Sequence, residues 1–507
     1  MDGIDTAVIT AGPGSFVAGI VDQARRAPDA TALVWWGHAI SYGALLRRAE
    51  LERERIALIP EGEPVGVPAV KSPRTVALIL ACLLEHRPPL LTPPALGKDV
   101  LDRLYEQAGV RHVLTPGKTA PRNPPVPTAA PGTAHRDRPG RTDLGETALL
   151  LTTSGTTGIP KIVPLDGTAV DRFTAWAGET FGIGPGTTVL NYAPLNFDVC
   201  LLDVWTTLAL GGRVLLVDAD RVPQGGRLLD LVERERPEVV QSVPLLYRLL
   251  TDAARDGGRT LPSVRHAVFT GDTMPSPVLA ALPRLLPGAR LYNVYGCTET
   301  NDSFLHEVRG TPDPGRPLPL GHPLPGVRAL LVTGDGRVLD GPGTGELHVS
   351  TPFQSRGYLG EAAVRGGFVP HPEGADDRSW FRSGDLVHRS AEGELTLVGR
   401  TDYQVKVRGI RVNLQEVERV LLAHPGVAEA AVLALPDPVS GHSLHAVARR
   451  RAGSGLNTLT LRGHLAHGLP KSAIPVRLLI TDEPLPRTAT GKADRERTVR
   501  VHFTEES

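Results

Sequence analysis

The chain has 507 residues, 41% of them hydrophobic, enough for one large layered domain or two domains with separate cores, and this excludes a small single-core module. Lys plus Arg and Asp plus Glu each number 55, so the formal net charge is +0, and no basic excess points to a nucleic-acid backbone as the main partner. Cys82, Cys200 and Cys297 stand outside any CxxC or Cys/His cluster, so neither a disulfide framework nor a zinc site is expected.

The N-terminal stretch MDGIDTAVITAGPGSF has no basic segment ahead of an apolar run, and VALILACLL, from Val76 to Leu84, is too short to span a bilayer. A soluble, cytoplasmic protein is expected. From Thr115 to Gly145 the chain is rich in Pro, Thr and Gly and reads as an exposed loop joining two subdomains. The segment ALLLTTSGTTGIPKIVPL then places an apolar strand, a ten-residue loop from Thr152 to Lys161 and a second apolar run in succession. Further on, an amphipathic helix from Gly226 to Arg236 precedes the short apolar run PEVVQSVP, and this alternation predicts an α/β fold. Composition changes again near Gly399. A strand, a Gly turn and an amphipathic helix (Leu414, Val417, Val420, Leu421) open a last stretch long enough for a small α+β domain, whose polar end PRTATGKADR carries Lys492. The expected division is a large N-terminal domain over 1–400 and a small mobile domain over 401–507. No internal repeat is visible.

Small residues in the Thr152–Lys161 loop keep side chains out of the way. Backbone N–H groups and the hydroxyls of Thr152, Thr153, Ser154, Thr156 and Thr157 can then approach an anion, with Gly155 and Gly158 giving access and Lys161 adding charge. No Gly-Lys-Ser/Thr follows the glycines, so this is not a Walker A loop. Taken alone, the composition also fits a surface linker.

TTSGTTGIPK resembles the phosphate loop of the adenylate-forming superfamily, which includes acyl-CoA synthetases, firefly luciferase and the adenylation domains of nonribosomal peptide synthetases. Further stretches follow in that superfamily's order over most of the chain: NVYGCTETN, GELHVSTPFQSRGYL, WFRSGDL, GRTDYQVKVRGIRVNLQEVE and PRTATGKADR. The resemblance implies ATP and Mg²⁺ as cosubstrate and cofactor. It implies that Thr298 binds phosphate, Glu299 helps hold Mg²⁺, Tyr295 stacks on adenine and Asp385 takes both ribose hydroxyls. Arg400 stands beside the expected boundary, within reach of ribose or phosphate. Lys492 matches the lysine that bridges the substrate carboxylate and the nucleotide during adenylation. Asp402 matches the hinge about which the C-terminal domain rotates, and Lys406 and Gly409 match the face presented for thiol transfer. Without the resemblance, Glu299 also reads as a structural cap, Asp385 as a turn residue, Lys406 as an ordinary strand lysine and Lys492 as a solvated one.

The substrate class rests on NYAPLNFDVCLLDVW, where Asp198 matches the residue that holds the substrate ammonium in amino-acid-activating members; a helix N-cap is the alternative. A carboxylate in an apolar run is costly unless paired with a cation. Motif alignment implies a pocket of Asp198, Val199, Leu202, Gln241, Val268, Thr270, Val294, Asp302 and Ser303. It contains no Lys or Arg, against an acidic side chain, and its polar members suggest a polar group or a second amine. FDVCLLDVW and YGCTETNDSF resemble free-standing enzymes that load unusual amino acids, including β-amino acids, onto discrete carrier proteins. The usual LKAGxAYVP motif is here LLEHRPPLLTP, a departure from mainstream peptide-synthetase modules. Fifteen residues follow Lys492 and hold no phosphopantetheine attachment motif, so the expected acceptor is a separate carrier protein. A D-alanine–carrier protein ligase, an acyl- or aryl-CoA ligase and a non-catalytic sensor are the alternative readings.

Overall fold

A computed structural model of the chain describes residues 15–94, 96–121, 144, 146–153, 160–218, 225–310, 317–364, 366–401, 404–408, 410–437, 441–486 and 495–503. Its architecture is α/β, as expected. In chain order come β1 (Thr31–Trp35), β2 (His38–Ser41), β3 (Val65–Pro68), β4 (Pro89–Thr92), β5 (His112–Thr115), β6 (Lys118–Pro121), β7 (Thr147–Thr153) and β8 (Lys161–Asp166). Strands β3 to β8 make a six-stranded sheet in the order β6-β5-β3-β4-β7-β8, parallel at its centre and closed by a hairpin at each edge.

Next come β9 (Thr188–Asn191), β10 (Arg213–Leu216), β11 (Val239–Ser242), β12 (His266–Phe269), β13 (Arg290–Cys297), β14 (Asn301–Val308) and β15 (His322–Pro323). With β1 and β2 they build a nine-stranded sheet in the order β15-β14-β13-β12-β11-β9-β10-β1-β2. Its inner strands are parallel and apolar on both faces, because alternate side chains enter different cores. Val189, Val239 and Val268 face a core shared with Leu149 and Leu151 of the six-stranded sheet. Leu190, Val240 and Ala267 face an outer layer containing Leu228, Leu246 and Leu282. Three of the outer helices, Gly225–Glu235, Pro244–Ala254 and Ser276–Leu285, supply those leucines.

Strands β16 (Arg328–Val332), β17 (Gly343–Ser350), β18 (Phe368–Val369), β19 (Trp380–Arg389) and β20 (Leu395–Arg400) form a third, antiparallel sheet. A hairpin of β21 (Gln404–Val407) and β22 (Ile410–Asn413) leads into a helix, Leu414–Ala423. Beyond it, β23 (Val427–Asp437), β24 (Gly441–Arg450) and β25 (Arg477–Thr481) form a three-stranded sheet. The core here draws all its members from Val405 to Ile480, so this part carries its own apolar interior.

The helix expected over Gly226–Arg236 runs over Gly225–Glu235, and the apolar run after it is β11. Val417 and Leu421 are fully buried in their helix, as the spacing requires. The stretch expected as loop from Thr115 opens instead with the β5–β6 hairpin, whose turn uses Gly117 at φ 76. VALILACLL lies in the buried helix Pro73–Leu84, and no described helix is long and apolar enough to cross a membrane. The departure LLEHRPPLLTP has a local account. His86, at the position where LKAG has glycine, adopts φ 52, and the buried Arg87 donates through Nε to the Ile59 carbonyl at 2.9 Å.

Candidate active site

The expected phosphate loop joins β7 to β8, and its first residues extend the ladder: Thr152 pairs with Ile162, and Thr153 with Lys161. The loop is therefore shorter than the ten residues read from composition. Pairing holds Lys161 at the mouth of a hairpin rather than on a free segment. Ser154, Gly155, Thr156, Thr157 and Gly158 lie outside the described residues, as do Asp402, Gly409 and Lys492. The Thr153 hydroxyl is buried with no hydrogen-bond partner among the described residues.

Lys161 points at Tyr358, with Nζ 3.3 Å from the phenol oxygen and 4.5 Å from the ring centroid. The same phenol donates to Glu299 Oε1 at 2.6 Å, and Glu299 is only 1% exposed. A chain of contacts from Lys161, at the end of the expected phosphate loop, to Glu299 therefore runs through Tyr358. Sequence reasoning missed this residue although it is the tyrosine of the quoted stretch GELHVSTPFQSRGYL. Glu299 lies on the turn between β13 and β14, which is tight because Gly296 lacks a side chain: a Cβ there would come within 2.3 Å of the Asn301 carbonyl oxygen. Asn301 closes the turn at φ 54 and donates to the Phe353 carbonyl at 2.8 Å.

Tyr295 is buried, edge-on to Phe304, and its hydroxyl donates to Asp385 Oδ2 at 2.5 Å. Burial and the Asp385 charge push its phenol well above the usual tyrosine range. Asp385 and Arg400 are register partners on β19 and β20, and their side chains form an ion pair. Arg400 also donates to the Ser383 carbonyl at 3.0 Å. These three expected nucleotide residues thus form one connected group. Lys406 stands on β21, in the C-terminal hairpin.

Asp198 follows β9 and precedes a one-turn π-helix, Leu201–Thr206. It does not cap this helix: Oδ1 accepts from the adjacent Val199 N–H at 3.0 Å. Desolvation raises its pKa, opposed by a side-chain hydrogen bond with Thr298. Thr298, on the expected phosphate turn, thus acts on the expected ammonium site. Of the other lining residues, Leu202, Gln241, Val268, Thr270, Val294 and Ser303 are buried, while Val199 and Asp302 are partly exposed. Desolvation, reinforced by Asp198, pushes Asp302 up to about 8. Sequence reasoning also missed Asn191 and Asp203, which are fully buried and joined by a 3.3 Å hydrogen bond from Asn191 Nδ2 to Asp203 Oδ2. The available signal was a second carboxylate five residues after Asp198 in the same apolar run.

The model for the AMP-binding enzyme family matches residues 20–359, and the model for the AMP-binding enzyme C-terminal domain matches residues 416–492. The chain is 35% identical to an L-proline–[L-prolyl-carrier protein] ligase of Streptomyces coelicolor over 73% of this chain and 70% of that relative. It is 27% identical to a D-alanine–D-alanyl carrier protein ligase of Bacillus velezensis, over 94% of this chain and 97% of that one. Among solved structures, a nonribosomal peptide synthetase protein containing adenylation and PCP domains, bound to a vinylsulfonamide inhibitor, is similar at 26% identity and a TM-score of 0.79, over 97% of this chain and 85% of that one. With its first family model covering well over half its length, the chain belongs to the AMP-binding enzyme family of adenylate-forming ligases.

Proposed function

We propose that the protein activates an amino acid with ATP and passes the aminoacyl group to the phosphopantetheine thiol of a separate carrier protein. The observation that carries this reading is the Asp198 carboxylate, desolvated within an apolar run, bonded through Oδ1 to the adjacent Val199 N–H and paired with no Lys, Arg or His among the described residues. An ammonium group held by Asp198 leaves the carboxylate of the same small molecule beside the β13–β14 turn, where the nucleotide's α-phosphate is to be attacked. Proximity and orientation of the two reactants are the main gain of such an arrangement.

In the first half-reaction a substrate carboxylate oxygen bonds to the α-phosphorus while the bond to pyrophosphate breaks. Lys161, Thr152, Thr153 and the rest of the loop hold the phosphates. Tyr295, Asp385 and Arg400 form the nucleoside side of the site, and Lys492 offsets the charge that builds between carboxylate and phosphate. Among the described residues no group of three or more His, Cys, Asp or Glu side chains is placed to hold a metal. A single buried carboxylate on Glu299 suits Mg²⁺, which takes one or two protein carboxylates and completes its shell with phosphate oxygens and water. When bound, the ion neutralises charge on the leaving pyrophosphate.

In the second half-reaction the carrier thiol attacks the acyl carbon and AMP leaves. Asp402 is the proposed hinge between 1–400 and 401–507, and the separate apolar core of the C-terminal part supports movement as a unit. Lys406 would face the site after rotation. The relatives named for prolyl and D-alanyl carrier proteins support the acceptor class. The near full-length match to the D-alanine ligase favours D-alanine as a second reading of the substrate.

Amino-acid-dependent pyrophosphate exchange, run over α-, β- and D-amino acids together with aryl and fatty acids, tests the proposal. Lys492→Ala is to lose nearly all exchange while the fold survives. Response to aryl or fatty acids alone would remove the amino-acid reading.

A further inference from the structure

One face of the nine-stranded sheet carries acceptors that the described residues do not match with donors. Asn191, Gln241 and Val268 are register partners on β9, β11 and β12, so their side chains leave the sheet on the same face. Asn191 is bonded to Asp203 on that face. Gln241 is 1% exposed, and its Oε1 has no hydrogen-bond partner among the described residues. Asn191 Oδ1 and Asp203 Oδ1 are in the same position. All three orphaned atoms are oxygens, which sets the chemistry of what would satisfy them: a donor.

Asp302 enters from the start of β14, across the hairpin from Gly296. Burial and the Asp198 charge raise its pKa, it acts in the same sense on Asp203, and among the described residues it forms no ion pair. Lys71 acts on Asp203, but its ammonium is engaged with the main-chain carbonyls of Tyr192 and Val217 at 3.0 and 2.9 Å. Once Asp198 has taken one ammonium, Asp302 and the Gln241 oxygen still present a carboxylate and an amide acceptor. A hydroxyl would supply one hydrogen and no charge. An ammonium supplies three hydrogens and the compensating charge.

We propose that the acid activated is a diamino acid, its first ammonium group on Asp198 and its side-chain ammonium group between Asp302 and the Gln241 amide oxygen. The buried Leu202, Val268 and Val294 then line the methylene stem. This rests on amino-acid activation as the function and names the substrate class within it.

The test is pyrophosphate exchange with the full chain and a matched series: 2,3-diaminopropionate, 2,4-diaminobutyrate, ornithine and lysine, each against its uncharged isostere (2-aminobutyrate, norvaline, norleucine and 2-aminoheptanoate). At least one diamino acid is expected to exceed its isostere tenfold or more in kcat/KM. Asp302→Asn, which keeps the side-chain shape, is expected to lower kcat/KM for the diamino acid at least tenfold more than for its isostere, mainly by raising KM; Gln241→Leu is expected to erode the preference in the same direction. Isosteres that exchange as well as the diamino acids, or an Asp302→Asn variant that lowers both alike, would overturn the inference and leave amino-acid activation standing. Exchange with aryl or fatty acids alone would overturn both.

Discussion

Tyr358→Phe removes one oxygen and tests whether the Lys161–Tyr358–Glu299 chain organises the site. The phenol donates to a carboxylate at 2.6 Å, and that carboxylate is 1% exposed. Hydrogen bonds to charged groups contribute about 1.5–3 kcal/mol, and a buried carboxylate deprived of its donor loses that support without regaining water. If the bond holds Glu299 where it acts in the transition state, kcat/KM for exchange falls by roughly 10- to 150-fold, since about 1.4 kcal/mol is a factor of ten. The ring remains, so its packing against Phe368 and its face toward Lys161 survive. A double-mutant cycle with Glu299→Gln separates the pair from the parts. Coupling of at least about 1 kcal/mol is expected, because each single variant breaks the same bond. Exchange within about twofold of wild type, or strictly additive effects, would refute the reasoning.

Gly296→Ala forces a Cβ to within 2.3 Å of a main-chain oxygen, so the β13–β14 turn must shift; a loss of about 1–3 kcal/mol in urea unfolding and a marked fall in exchange are expected, and an unchanged variant would contradict the close approach. His86→Gly should stabilise by about 0.5 kcal/mol or more: a left-handed non-glycine residue costs about 1–2 kcal/mol, and the extra chain entropy of glycine offsets part of the gain. A lower urea midpoint would speak against it. Asp302 has its pKa raised from 3.8 to about 8, so the stability it contributes is complete below about pH 4 and is lost as pH rises to about 8. Asp302→Asn does not titrate, and its advantage over wild type in unfolding free energy should grow across that window to about 1–3 kcal/mol, a discounted figure because the group is partly exposed. A difference that stays constant with pH would show that Asp302 is not desolvated.

Much of the fold was legible because period and punctuation are local properties. The apolar runs flanking the phosphate loop, the amphipathic helix after Gly225 and the Val417/Leu421 stripe each have a spacing that admits one element type. The β5–β6 hairpin was hidden by the Pro-rich composition around it. Loop ends were also misjudged, since pairing of Thr153 with Lys161 depends on strand register and not on composition. For the candidate site, the ordered motifs pointed to Asp198, Thr298, Glu299, Tyr295 and Asp385. They did not reveal which of these touch.

Sequence alone determined the chain's class: an α/β body and the ordered motifs of an adenylate-forming ligase, all encoded in short stretches whose residue types are readable without contacts. Only the tertiary structure decided how the pieces are joined. Tyr358 links Lys161 to Glu299 across 197 and 59 residues of chain, and Tyr295 meets Asp385 across 90. The acceptor face formed by Asn191, Gln241 and Asp203 likewise depends on parallel register and on burial. Side chains far apart in sequence become partners, or lose their water, only when sheets and turns bring them together, and their hydrogen bonding and charge are settled by that environment.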